Sequence, residues 1–208
     1  MKQVTLAAKV DKDKCTGCKI CTKVCPVLSI TVENKKAVVN ESDCRACGNC
    51  EQRCPFYAIK MVPREIPMKI GIDVSKFDKE KIKEICTKAH FNPEQVLCYC
   101  TGVRADEVAA SILAGADTPE KVSLMTGIRT GCTIECIQPI LRILDAAGHE
   151  LKPVEGGWQW YGKTATAWTV PKDVTEKYNS RGFYFEEDKE LLDDIAKIDM
   201  EGRKSNNA

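Results

Sequence analysis

The hydrophobic and polar positions of this 208-residue chain change rhythm along its length. Val4 to Val10 reads as an edge strand, Ile30 to Val39 as a hairpin turning at Asn34 and Lys35, and Ala58 to Val62 as a closing strand. The spacing then predicts helices. The first runs from an N-cap at Asp78 to His90, with Ile82, Ile85 and Cys86 on one face. A second spans Arg104 to Ala114, apolar at Val108, Ile112 and Leu113 and stopped by Gly115. Asp117, Thr118 and Pro119 open a third, apolar at Val122, Leu124 and Met125 and ended by Gly127. A fourth carries Ile137, Ile140, Leu141, Ile143 and Leu144, with Pro139 in its first turn and Gly148 at its end. Glu187 to Ile198 reads as a last amphipathic helix, with Leu191, Leu192, Ile195 and Ile198 on one side.

The expected class is α+β. A small pseudo-twofold β-hairpin domain with short helices (1–63) is followed by a linker with a helix (64–95). A small all-α domain (96–150) and an extended, aromatic-rich tail (151–208) complete the chain. Pro63 to Pro67 marks the first boundary, with a short strand from Met68 to Asp73.

Composition narrows the setting. The chain is 43% hydrophobic with a net charge of +1, and it lacks the run of about 18 apolar residues that a membrane span needs. Met1 to Val10 has no signal-peptide apolar region, so the expected location is the cytoplasm. Thirteen cysteines in a reducing compartment point to metal sites over disulfides. Residues 151–208 balance nine basic against eleven acidic side chains, which excludes a nucleic-acid-binding patch. No Ser-His-Asp set, P-loop or G-x-G-x-x-G is present, so neither nucleotide binding nor catalysis by this chain is expected.

Eight cysteines repeat one spacing, C-x2-C-x2-C-x3-C-P: Cys15, Cys18, Cys21, Cys25 and Pro26, then Cys44, Cys47, Cys50, Cys54 and Pro55. This is the ligand pattern of two [4Fe–4S] clusters. Three closely spaced cysteines wrap one side of a cube, and the fourth comes from the other motif. Cluster I then falls to Cys15, Cys18, Cys21 and Cys54, and cluster II to Cys44, Cys47, Cys50 and Cys25. Gly17 and Gly48 lie where the loops need a positive φ. The alternatives for such cysteines are a disulfide framework or zinc.

With these residues in view, 1–63 resembles the bacterial two-cluster ferredoxin family. Its core is too small to fold alone, so without iron it should be largely unfolded. Eleven basic and six acidic residues lie in 1–63, an excess that the anionic clusters would largely offset. That absence of a strong field favours a fixed subunit over a diffusing shuttle.

Cys98 and Cys100 precede the second and third helices, and Cys132 and Cys136 lie near the start of the fourth. The surrounding Val96 to Val103, with Thr130, Gly131 and Cys136 to Pro139, resembles the bacterioferritin-associated-ferredoxin-like (BFD-like) [2Fe–2S] domain over about residues 96–148. The last pair is spaced C-x3-C here, where that family more often has C-x2-C. The resemblance implies one [2Fe–2S] cluster on Cys98, Cys100, Cys132 and Cys136; a four-cysteine zinc site is the alternative.

The left-over Cys86 reads as a buried thiol, with a metal ligand alongside His90 as the rival reading; His90 and His149 otherwise read as surface residues. Eight of the thirteen aromatics lie in the tail: Trp158, Trp160, Tyr161, Trp168, Tyr178, Phe183, Tyr184 and Phe185. Such a segment docks on a partner or covers the cluster domains.

The reading is an electron-transfer subunit of an anaerobic oxidoreductase, not catalytic alone. It relays single electrons to or from a flavoprotein partner that the resemblance implies, docked through the tail. A free-standing ferredoxin-type carrier and a metal-handling protein are the alternatives.

Overall fold

The computed structural model describes residues 2–156 and 162–198, and its mixture of small sheets and helices is α+β, as expected. Trp158, Trp160 and Tyr161 of the aromatic tail lie outside these residues.

Two strands frame the N-terminal part. Strand β1 (Lys2–Val10) pairs antiparallel with β4 (Ile59–Ile70). Between them come α1 (Ile20–Val24), the hairpin β2 (Ile30–Glu33) and β3 (Lys36–Val39), and α2 (Asn49–Gln52). Asn34 (φ 48°) and Lys35 (φ 59°) are both left-handed. That is the turn whose twist matches two flanking strands, and it sits where the sequence places it. Small side chains fill the interior: Ala8, Ala37 and Ala58 pack with Ile30, Ile59 and the buried Cys15, Cys21, Cys44 and Cys50.

The closing strand departs from expectation. It does not end at Val62 but runs on through Pro63 and Pro67 to Ile70, absorbing both the proline-marked stretch and the start of the short strand beyond it. A two-stranded ribbon tolerates this because each strand is an edge, where a missing N–H need not break a ladder. Pro63 faces Leu6 beside a register slip between Val4 and Leu6, and the Leu6 carbonyl accepts Arg64 Nε at 2.9 Å instead.

The second part is built on α3 (Lys79–Lys88), α4 (Ala105–Leu113), α5 (Pro119–Thr126) and α6 (Ile137–Ala146). A short pair, β5 (Val96–Cys98) and β6 (Val103–Arg104), lies between α3 and α4. Asp78 caps α3, accepting from the Glu80 and Lys81 amides, and Thr118 caps α5 with Pro119 in its first position. Helix α3, expected within a linker, shares the helical core: Ile82, Cys86 and Ala89 pack with Val108, Val122, Ile140, Ile143 and Leu144.

The two parts touch at the far end of the ribbon. Gly71 N donates to Met125 O at 3.2 Å. Gly127 ends α5 at φ +76°, and a Cβ there would come within 2.7 Å of Ile70 Cδ1.

The tail returns to the helical part through α7 (Lys172–Asn179) and α8 (Phe185–Lys197). Trp168 stacks on His90 at 3.8 Å, and Arg142 lies over both Trp168 and Phe91. His90 therefore belongs to the tail's seat and not to open surface. Asp193 pairs with His90 Nδ1 at 2.6 Å, and Asn92 donates to the carbonyls of Ile195 and Ile198. These polar anchors set the rotation of α8. Ala196 is turned inward, while Leu191, Leu192 and Ile195 are left exposed.

Candidate iron-sulfur sites

The two cysteine motifs are structural copies offset by 29 residues throughout, Cys15 matching Cys44 and Cys25 matching Cys54. The copying extends to the backbone. Asp11 and Asn40 occupy the same position ahead of each loop, and each carbonyl accepts the amide of its first cysteine at 3.1 Å. Their side chains fold the intervening turn, Asp11 accepting from the Asp13 amide and Asn40 from the Ser42 amide.

Each loop has two left-handed residues, Gly17 (φ 74°) and Lys19 (φ 64°) in the first, Ala46 (φ 55°) and Gly48 (φ 75°) in the second. After the prolines, Leu28 (φ 53°) and Tyr57 (φ 51°) form another matched pair. Such turns aim successive N–H groups to one side and build an anion-binding concavity. The sequence points to the two glycines; their partners Lys19 and Ala46 become evident only when the motifs are superposed by the offset.

The loops line two small cavities. Cys15, Cys18, Cys21 and Cys54 line the first, with Gly17 and Ala37. Cys25, Cys44, Cys47 and Cys50 line the second, with Ser29 and Arg45. Each cavity thus takes three cysteines from one motif and the last cysteine of the other.

Hydrogen-bond donors face the sulfurs from the walls. The Ala37, Ala58 and Ser29 amides each lie 3.3 Å from a sulfur, of Cys15, Cys54 and Cys25 respectively. The Ser29 hydroxyl is also 3.3 Å from Cys25 Sγ, and Asn49 Nδ2 donates to Cys47 Sγ at 3.4 Å. Such donors favour thiolate. Burial opposes it, and neighbouring thiols add to the opposition, so Cys47 is pushed up to about 11 and Cys50 to about 12. Four sulfurs to each cavity, with amide donors facing them, form a donor set that fits an iron–sulfur cubane.

The third cysteine set also comes together. Cys98 ends β5, Cys100 follows in the turn, Cys132 lies in the loop after α5, and Cys136 caps the start of α6. Cys98 and Cys136 are buried, whereas Cys100 and Cys132 are exposed. The hydrogen bond between Cys98 and Cys136 holds Cys98 down to about 5 and drives Cys136 upward. Cys132 N lies 3.5 Å from Cys100 Sγ. Gly131 makes that approach feasible: a Cβ there would fall 2.4 Å from Cys100 Cβ and 2.9 Å from its sulfur.

Two cations that sequence reading did not single out adjoin this site. Arg129, three residues before Cys132, is 2% exposed, left-handed (φ 66°) and 3.4 Å from Glu120. Its backbone N–H serves both Cys98 and Cys136. Lys2, at the start of β1, buries an Nζ that has no hydrogen-bond partner among the described residues; burial lowers its pKa, with Glu107 and Cys98 nearby opposing that. Only the fold could reveal these, since it brings residue 2 beside residue 98.

Cys86 is fully buried in the helical core, and burial pushes its thiol up to about 12, as the packing reading expects. Among the described residues no three His, Cys, Asp or Glu side chains converge on a point fit for a single ion. The eight cysteines of the two repeated motifs instead line two cavities, as polynuclear clusters require, and all thirteen cysteines are free of disulfides.

Cysteine-lined sites on this fold define an iron–sulfur protein of the electron-transfer kind. Two families account for its parts: residues 7–55 match the 4Fe-4S dicluster domain, and residues 96–146 match the BFD-like [2Fe-2S] binding domain. Neither a curated protein nor a solved structure matched the chain.

Proposed function

We propose that the chain is the electron-transfer subunit of a flavin-dependent oxidoreductase. Cys15, Cys18, Cys21 and Cys54 would hold one [4Fe–4S] cluster, and Cys25, Cys44, Cys47 and Cys50 the other. Cys98, Cys100, Cys132 and Cys136 would hold a [2Fe–2S] cluster. When bound, such clusters accept and release single electrons. The chain's own residues supply the thiolates, the amide donors to sulfur and a wall that excludes water. The observation that carries the reading is the exchange of cysteines between the two cavities, three from one motif and one from the other.

The partner is the less constrained half of the proposal. What supports docking is the outward apolar face of α8, with Leu191 59% and Leu192 41% exposed, beside the exposed Phe183 and Tyr184. A flavin trades electrons in pairs and a cluster singly, so a multi-cluster subunit suits such an enzyme. No helix among the described residues is long and apolar enough to cross a membrane.

Anaerobic native mass spectrometry of the complex drawn from its own host tests both halves. The expected species carries the iron of two cubanes and one binuclear cluster and is bound to a flavoprotein. A lone monomer with the same iron would favour a free carrier, and zinc in place of iron would overturn the cluster assignment.

A further inference from the structure

The two cubane cavities are copies in their backbone, but their side chains differ, and one of the differences reaches beyond the loop. Between the first two cysteines of the first motif stand Thr16 and Gly17; between those of the second stand Arg45 and Ala46. Arg45 lines the cavity of Cys25, Cys44, Cys47 and Cys50. From that wall it reaches into the helical part, donating Nε to Leu124 O at 2.8 Å near the end of α5. Its Nη1 donates to Ser42 O at 2.9 Å and meets Met68 Sδ on β4. Arg64 braces the same loop from behind, giving Nη2 to the carbonyls of Glu41 and Cys44. Thr16 makes no such bond to the helical part among the described residues.

Helix α5 leads through Gly127 and Arg129 into Cys132. Arg45 therefore joins the Cys44 loop to the element that ends in the third cysteine set. We infer that Arg45 is a positioning residue: it seats the Cys25, Cys44, Cys47, Cys50 site against the helical domain and lays a fixed positive charge on that wall, where the Cys15, Cys18, Cys21, Cys54 site has Lys19 and Lys36 nearby but no such tie to the helices. A cluster becomes more negative when it gains its one electron, so a nearby guanidinium favours the reduced form. Half-burial lowers the Arg45 pKa, but a guanidinium stays protonated at any pH at which the fold exists. The inference rests on the cluster assignment proposed above.

The test is an EPR-monitored redox titration of the anaerobic, full-length, iron-loaded protein, with Arg45→Ala, Arg45→Lys and Thr16→Ala. In Arg45→Ala one cubane signal becomes about tenfold less favourable to reduce while the other holds. Arg45→Lys keeps most of the original value, and Thr16→Ala shifts neither cubane in that direction. Equal shifts of both cubanes in Arg45→Ala, or none, would overturn the charge role.

Amide hydrogen exchange gives a readout that does not depend on cluster identity. Loss of the bond to Leu124 O should speed exchange at the end of α5 by about tenfold in Arg45→Ala. Unchanged exchange there would overturn the positioning role. An absence of any cubane signal in the unsubstituted protein would instead refute the cluster assignment, with the exchange result still deciding the contact.

Discussion

Ala46 holds the same left-handed backbone as Gly17, at φ 55° against 74°, one repeat later in the chain. The two positions are equivalent by the 29-residue offset, but their surroundings differ. A Cβ on Gly17 would lie 2.4 Å from the Lys35 carbonyl oxygen, inside any tolerable contact. Ala46 already carries a Cβ and bears only the conformational cost. The prediction is asymmetric. Gly17→Ala should destabilise the iron-loaded protein by about 3 kcal/mol or block its assembly, because neither backbone atom can give way. Ala46→Gly should be neutral or stabilise by up to about 1 kcal/mol. Denaturant unfolding followed by cluster absorbance measures both.

Iron removal should act unevenly. The N-terminal interior is made of alanines, two isoleucines and cysteines that line the cavities, whereas the helical part has a continuous aliphatic core. Chelation under denaturant-free conditions is expected to unfold residues 2–70 while amides of α3, α4 and α6 stay protected. Equal loss of protection in both parts would contradict separate cores.

The third site separates from the first two by mutation. Cys98→Ala or Cys132→Ala should abolish the [2Fe–2S] EPR signal and leave both cubane signals. Gly131→Ala should do the same without removing a thiol, because its new methyl would occupy the space of Cys100. Cys86→Ala, in the core but outside every cysteine-lined cavity, should retain all the iron at a stability cost of about 1 kcal/mol. Loss of all three signals in Cys98→Ala would sink the division into separate sites.

The tail's seat responds to acid. The hydrogen bond from His90 holds the Asp193 carboxyl below the usual carboxylate range. A group with a lowered folded pKa contributes stability that is complete above its unfolded value, about 3.9, and is lost as the pH falls through the folded value. Docking of α8 should therefore be constant from neutrality down to about pH 4 and weaken below it. Asp193→Asn should reproduce the acid state at neutral pH, seen as faster proteolysis between Phe185 and Lys197. Resistance equal to the unsubstituted protein would remove Asp193 from the seat.

Much of this architecture is legible in the sequence because local chemistry dictates it. Asn34 and Lys35 form the turn, Asp78 and Thr118 cap helices, Pro139 sits in a first turn, and Gly127 and Gly148 end helices at positive φ. Motif spacing also leads to the expectation that the last cysteine of each motif crosses to the other, and the cysteines lining the two cavities are grouped in that way. What escaped reading is non-local. Pro63 and Pro67 signal a break, yet in a two-stranded ribbon each strand has one unpaired edge where a missing N–H is tolerated, and β4 passes through them. The periodicity of α8 shows Leu191 and Leu192 on one side but not which side packs on the chain, and it is Asp193 and Ala196 that do. Lys2, Arg45 and Arg129 carry no motif; their roles come from what folding sets beside them.

Strand β4 also fixes an order of events during synthesis. β1 is made first, but its partner ends at Ile70, with Lys2 opposite that last residue. All eight cysteines of the two cubane motifs precede the part of β4 that completes the ribbon. While the chain is growing, those thiols leave the ribosome before the frame that will bury them exists. Cysteines that end buried, Cys15, Cys21, Cys44 and Cys50, are therefore accessible to iron delivery, or to damage by oxidants, in the interval between Cys54 and Ile70.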